Sequence, residues 1–222
     1  MKLLETESAV TIEPAGTARA SVIWLHGLGA DGYDFVPMVK ELGLAPDANI
    51  RFVFPHAPVR PVTLNAGMPM RAWYDIVSLD RAGKVDEKGI RESETRVRGL
   101  IAEQKVEPSR IVVAGFSQGG AIALHTALRL PDRLAGVLAL STYLPMADAL
   151  AKERSEANRD TPILMFHGQY DAILTLQIGQ SSRDQLIKLG HKVEWHEYPM
   201  AHEVCIEEIE RIGSWLREVL AD

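Results

Sequence analysis

The chain has 222 residues, with 24 Lys+Arg against 30 Asp+Glu and a formal net charge of −6 at pH 7. Hydrophobic residues at 46% and charged residues at 24% are ordinary globular proportions, which exclude a disordered or collagen-like chain. One cysteine excludes an internal disulfide framework and a multi-cysteine zinc module, and the acidic balance without a basic run argues against a nucleic-acid partner.

This length suits a single domain over residues 1–222. Glu5 and Glu7 follow directly on Leu3-Leu4, so the first ten residues lack the apolar core of a signal peptide. The apolar stretch 134–140 is far shorter than the roughly 18 residues that span a bilayer. These features predict a cytoplasmic protein without stable membrane insertion.

In chain order, β-branched and apolar runs bounded by Gly and Pro predict strands at 9–12, 21–25, 50–54, 111–116, 136–140, 163–166 and 192–198. Several are apolar on both faces, as in Ile111-Val112-Val113-Ala114, which suits a strand buried on both sides of a parallel sheet. Helical periodicity covers 34–42, 88–105, 118–130, 147–158, 174–189 and 203–220. In the last of these, Cys205, Ile209, Ile212, Leu216 and Leu220 form one apolar stripe, which puts Cys205 on the buried face as a packing thiol. Strand–helix alternation predicts an α/β fold with a mostly parallel central sheet. Segment 55–80 breaks the pattern with Pro55, Pro58, Pro61 and Pro69, then Met68, Met70, Trp73 and Tyr74. A connection of this length with apolar and aromatic residues predicts an ordered, packed, functional loop.

Two glycine motifs carry chemistry. Gly27-Leu28-Gly29-Ala30-Asp31-Gly32 reads as G-x-G-x-x-G after a strand, the context of a dinucleotide site. The next strand, however, ends in Pro55-His56 with no Asp or Glu to take a ribose hydroxyl. Gly115-Phe116-Ser117-Gln118-Gly119 reads as G-x-S-x-G between a buried strand and a helix, a turn that throws a serine hydroxyl clear of the backbone.

A serine hydroxyl needs a base, and the base needs an acceptor to orient it. On such an elbow the partners follow in the order Ser, acid, His, each after a later strand. Asp171 and His202 stand at those places, which makes Ser117, Asp171 and His202 the candidate catalytic residues. Of the other candidates, His125 lies inside a helix, His191 and His196 flank or sit in the last strand, His56 and His167 stand at strand ends as loop-fixing residues, Asp160 precedes its strand and Asp184 falls mid-helix. No metal site is expected, because His202-Glu203 does not extend to H-E-x-x-H. An acyl-transfer oxyanion needs two N–H donors, and Gln118, after the nucleophile, and Leu28, in the first glycine loop, are the candidates.

Leu25-His26-Gly27-Leu28-Gly29, Pro55-His56-Ala57-Pro58, Arg60 to Asn65, Trp73-Tyr74-Asp75, the Gly115 elbow, His167-Gly168 with Asp171, and Tyr198-Pro199-Met200 before His202 resemble the phospholipase/carboxylesterase family. That family holds the acyl-protein thioesterases and small bacterial carboxylesterases. The resemblance runs from about Val22 to Leu216. It implies an α/β-hydrolase with a mostly parallel central sheet flanked by helices on both faces, no large cap domain and no cofactor.

It also implies the triad and oxyanion hole named above, with loop 65–73 lining the acyl site and Leu28, Met68, Met70, Trp73 and Leu144 forming its apolar surface. Ser141 to Pro145 looks more like the bacterial esterase branch. Ala201 stands before His202 where the family usually has glycine, so a methyl group there could tilt the catalytic loop if that position needs φ > 0. The expected activity is hydrolysis of short- to medium-chain acyl esters by a serine carboxylesterase, with the small-molecule ester or thioester as partner. Long-chain acyl-protein thioesterase or lysophospholipase activity is the alternative within the family. A nucleotide-binding enzyme built on residues 27–32 and a catalytically inactive binding protein are the alternatives from other classes. A homodimer through the Met- and Trp-bearing loop is a further expectation from the resemblance.

Overall fold

The computed structural model describes residues 1–77 and 85–221. Its strands are β1 (Lys2–Glu5), β2 (Ala9–Glu13), β3 (Ala20–Leu25), β4 (Ile50–Pro55), β5 (Val59–Val62), β6 (Met68–Arg71), β7 (Ile111–Phe116), β8 (Gly136–Leu140), β9 (Ile163–Gly168) and β10 (Val193–Tyr198). The helices are α1 (Glu87–Ala102), α2 (Gln118–Ala127), α3 (Ala147–Glu153), α4 (Leu176–Lys188) and α5 (Ile206–Val219). Eight strands form one sheet in the order β1-β2-β4-β3-β7-β8-β9-β10, and β5 pairs with β6 in a separate antiparallel hairpin. From β4 to β10 all pairings are parallel, while β1–β2 and β2–β4 are antiparallel.

The period-2 alternation of each strand splits the core in two. Ile23 and Leu25 of β3 pack on one face with Ile90 and Val97 of α1, Ile122 of α2, Leu150 of α3 and Leu186 of α4. Val22 and Trp24 point to the other face, against Phe35, Val39 and the Ile212, Trp215 and Leu216 stripe of α5. Helices therefore cover both faces. The fold is that of the α/β-hydrolases, with no large cap among the described residues. No helix among them is long and apolar enough to cross a membrane.

Several local expectations are corrected. Segment 34–42 holds a single 3-10 turn, Val36–Lys40, in which Pro37 removes a backbone donor early in the turn. The helical stretch after residue 147 ends at Glu153 and is followed by a separate 3-10 turn, Glu156–Asn158. Helix α5 starts at Ile206, so Cys205 is its half-buried N-cap residue rather than part of its buried stripe. Segment 55–80 is ordered where described and contains the β5–β6 hairpin; residues 78–80 lie outside the described residues.

The topology places the site. Strands β3 and β7 are parallel neighbours with Leu25 opposite Gly115. The chain leaves β3 for β4 on one side and leaves β7 for β8 on the other. A crevice opens beyond the carboxyl ends of two strands wherever the winding reverses in this way. The 27–32 loop and the Ser117 elbow meet in that crevice.

Candidate active site

Ser117 occupies the turn between β7 and α2 with φ 54° and ψ −118°, a conformation costing a non-glycine residue about 1–3 kcal/mol. Surrounding bonds hold it there. The Ser117 N–H donates to Leu140 O at 2.9 Å, and the Thr142 hydroxyl and Ala121 N–H both donate to Ser117 O, at 2.6 and 3.1 Å. Glycine is required two residues on, because a Cβ at Gly119 would stand 2.3 Å from Leu25 O. The close approach of α2 to β3 thus depends on that missing side chain.

Strands β9 and β10 bring the other two groups to the same edge. His202 Nε2 lies 2.9 Å from Ser117 Oγ, and His202 Nδ1 lies 2.6 Å from Asp171 Oδ2. With Nδ1–H donating to the carboxylate, Nε2 is the acceptor facing the hydroxyl. Asp171 is buried, and its Oδ1 accepts the N–H groups of Ile173 and Leu174 at 2.9 and 2.8 Å. His167 fixes the far end of this turn by donating from Nε2 to Leu174 O at 2.7 Å, and burial lowers its pKa. The Phe116 ring lies against the His202 imidazole, with centroids 4.8 Å apart. The arrangement can deprotonate a hydroxyl at Ser117 and stabilise the imidazolium that results.

The Leu28 and Gln118 N–H groups have no hydrogen-bonded partner among the described residues, and both residues border the same cavity as Ser117. The loop carrying Leu28 is set from below by His26. Its Nδ1–H donates to Gly27 O at 2.7 Å and its Nε2 accepts the Ala57 N–H at 3.0 Å, the neutral tautomer that satisfies both bonds. Burial pushes the His26 pKa down to about 4, which keeps that tautomer in place near neutral pH. Gly32 closes the loop where a Cβ would meet Phe54 O at 2.3 Å, so this glycine serves close packing on β4.

The cavity at Ser117 measures about 320 Å³. Leu28 borders it as expected, but Met68, Met70, Trp73 and Leu144 do not. Met68 is exposed on the hairpin, and the Met70 sulfur accepts a hydrogen bond from Asn65 Nδ2. Trp73 is fully buried, with its indole N–H donating to His26 O at 2.9 Å, so it is unavailable to a dimer surface as well. Leu144 is buried, and its N–H donates to Ser182 Oγ. The walls come instead from Leu64, Tyr74, Ile76, Tyr143, Ile173 and Leu174, none of them expected from sequence to line the acyl site. Tyr74 and Tyr143 join their hydroxyls at 2.6 Å across the wall. Each is the immediate neighbour of an expected residue, which is the signal that could have found them.

Comparison with known proteins places the chain in a family. The phospholipase/carboxylesterase family pattern matches residues 6–220. The chain is 39% identical over 218 residues to acyl-protein thioesterase 1 of Yarrowia lipolytica, covering 95% of this chain and 96% of that protein. Crystal structures of SOBER1 from Arabidopsis thaliana and of the esterase PE8 are similar, with TM-scores of 0.86 and 0.81 and identities of 31% and 26%. The SOBER1 match covers 91% of this chain and 100% of that one; the PE8 match covers 99% and 100%. The chain belongs to the phospholipase/carboxylesterase family of serine hydrolases.

Proposed function

We propose that the protein hydrolyses carboxylic esters bearing short- to medium-length acyl groups, by two-step acyl transfer at Ser117. The observation that carries this reading is the hydrogen-bonded series Ser117 Oγ, His202, Asp171 at 2.9 and 2.6 Å, opening on an apolar cavity. Ser117 Oγ attacks the carbonyl carbon as its proton passes to His202 Nε2, while Asp171 holds the imidazole tautomer. The N–H groups of Leu28 and Gln118 receive the oxyanion of the tetrahedral intermediate. Collapse breaks the carbonyl–oxygen bond to the leaving group, and His202 returns its proton to the departing alkoxide. Water then repeats the sequence on the acyl-enzyme, releasing the acid and regenerating Ser117.

Cavity volume supports the chain-length reading. About 320 Å³ lies at the lower end of the roughly 300–1,000 Å³ of small-molecule sites, which favours short and medium acyl groups. The names of the thioesterase relatives favour a second reading, in which long-chain acyl thioesters are the substrate. Rates on p-nitrophenyl esters from C2 to C16, with matched acyl thioesters, separate the two. A maximum of kcat/KM below about C10 supports the first; a rise through C16 with thioesters preferred replaces it with the second.

A further inference from the structure

Among the described residues, Asp34 is the one carboxylate bordering the Ser117 cavity, and no Lys or Arg borders it. Its neighbour Phe35 anchors it, buried and stacked on Trp24 with ring centroids 5.2 Å apart. The Asp34 N–H donates to Asp31 O at 3.2 Å, which fixes the turn. The side chain itself is solvent-exposed and makes no hydrogen bond or ion pair with any described residue. Asp31 differs, because its Oδ1 accepts the Tyr33 N–H at 2.8 Å. Desolvation at the cavity border, and then the nearby Asp31 charge, raise the Asp34 pKa, a shift that an adjacent cation would offset.

We propose that Asp34 is a specificity-determining residue that selects ester substrates whose leaving group carries a positive charge. The inference rests on the ester-hydrolase reading above. An acyl chain belongs on the apolar wall of Leu64, Ile76 and Ile173, since laying it over Asp34 would strip water from a carboxylate without replacing it. The solvent-facing rim is left to the alcohol portion. A cationic alcohol there meets an uncompensated carboxylate, and an anionic one meets repulsion from Asp34 and from the net charge of −6.

The test compares butyrylcholine with 3,3-dimethylbutyl butyrate, which has the same shape with carbon in place of the quaternary nitrogen. At a partly solvated rim one charge pair is worth about a fivefold ratio of kcat/KM, shrinking with added salt. The wild type is expected to favour the choline ester by about that ratio, and Asp34→Asn to bring the ratio to about one. A structural effect of the substitution lowers both rates together and preserves the ratio. A wild-type ratio of one, or a ratio preserved in Asp34→Asn, overturns the proposal while the ester-hydrolase reading stands. Hydrolysis of neither ester by the wild type overturns both.

Discussion

The Gln118 carboxamide grips the backbone of the segment opposite: its Oε1 accepts the Trp73 N–H at 2.8 Å, and its Nε2 donates to Tyr74 O at 2.7 Å. The residue beside the nucleophile thereby positions the strip that carries Tyr74 and Ile76 into the cavity. The Trp73 indole extends the link to His26 O and so to the Leu28 loop. Replacing Gln118 by Met keeps the volume, strands the buried Trp73 N–H at about 1–3 kcal/mol and removes the bond to Tyr74 O at about 1 kcal/mol. Urea denaturation is expected to show a loss of about 2–4 kcal/mol. Activity on butyryl esters is expected to fall further than activity on acetyl esters, because the longer acyl chain needs the displaced wall.

Asp171 holds the imidazole of His202 through one oxygen and its own turn through the other. In Asp171→Asn the amide oxygen can still accept from Ile173 and Leu174, so the turn survives. The amide nitrogen then faces His202 Nδ1 and favours the wrong tautomer. A drop in kcat of about 10⁴ is expected with KM changed little, read from steady-state ester hydrolysis.

Gly119 tests how tightly the elbow is packed. Alanine there would drive its Cβ against Leu25 O, a backbone atom that cannot rotate away. Separation of α2 from β3 is expected to cost about 3 kcal/mol or more and to lower activity through Ser117, measured by thermal unfolding beside fluorophosphonate labelling.

Glu208, on the first turn of α5, is fully buried, and its carboxyl oxygens, beside the Cys205 backbone, make no well-formed hydrogen bond with any described residue. Burial pushes its pKa from the ordinary 4.5 up to about 8. The folded state therefore holds this proton more tightly than the unfolded state. Its contribution is fully present below about 4.5 and is lost as the pH rises through about 8. Glu208→Gln, which cannot ionise, is expected to match the wild-type Tm near pH 5 and to exceed it by several degrees at pH 9. Equal Tm values at pH 9 would contradict the assignment.

The parts of the fold governed by local pattern were legible in the sequence. Strands β7 and β8 fall at 111–116 and 136–140 as expected, because runs apolar on both faces suit a buried parallel sheet. Ser117, Asp171 and His202 were legible as candidates because each follows a predicted strand, and parallel strands bring their ends to one edge. Strand β1 was not, since all of its residues are exposed at the sheet edge and no burial pattern marks them. The β5–β6 hairpin was hidden by Pro61 and Pro69, which sit opposite each other in it.

The cavity wall was misplaced for a different reason. Leu64, Tyr143 and Ile173 come from three remote loops, and their convergence depends on tertiary packing rather than on any local period. Trp73 and Tyr74 illustrate the difficulty: one side chain turns into the core to bond His26 O, and the next borders the cavity. Ala201 resolves more simply. It is not among the residues with positive φ, so the methyl group before His202 brings no left-handed strain to the catalytic loop.

The nucleophile assignment is tested most directly by labelling with a fluorophosphonate and weighing the intact protein. One adduct on the wild type, mapped to Ser117, and none on Ser117→Ala is the result expected. An adduct that persists on folded Ser117→Ala, or that maps to another residue of the wild type, would contradict the account.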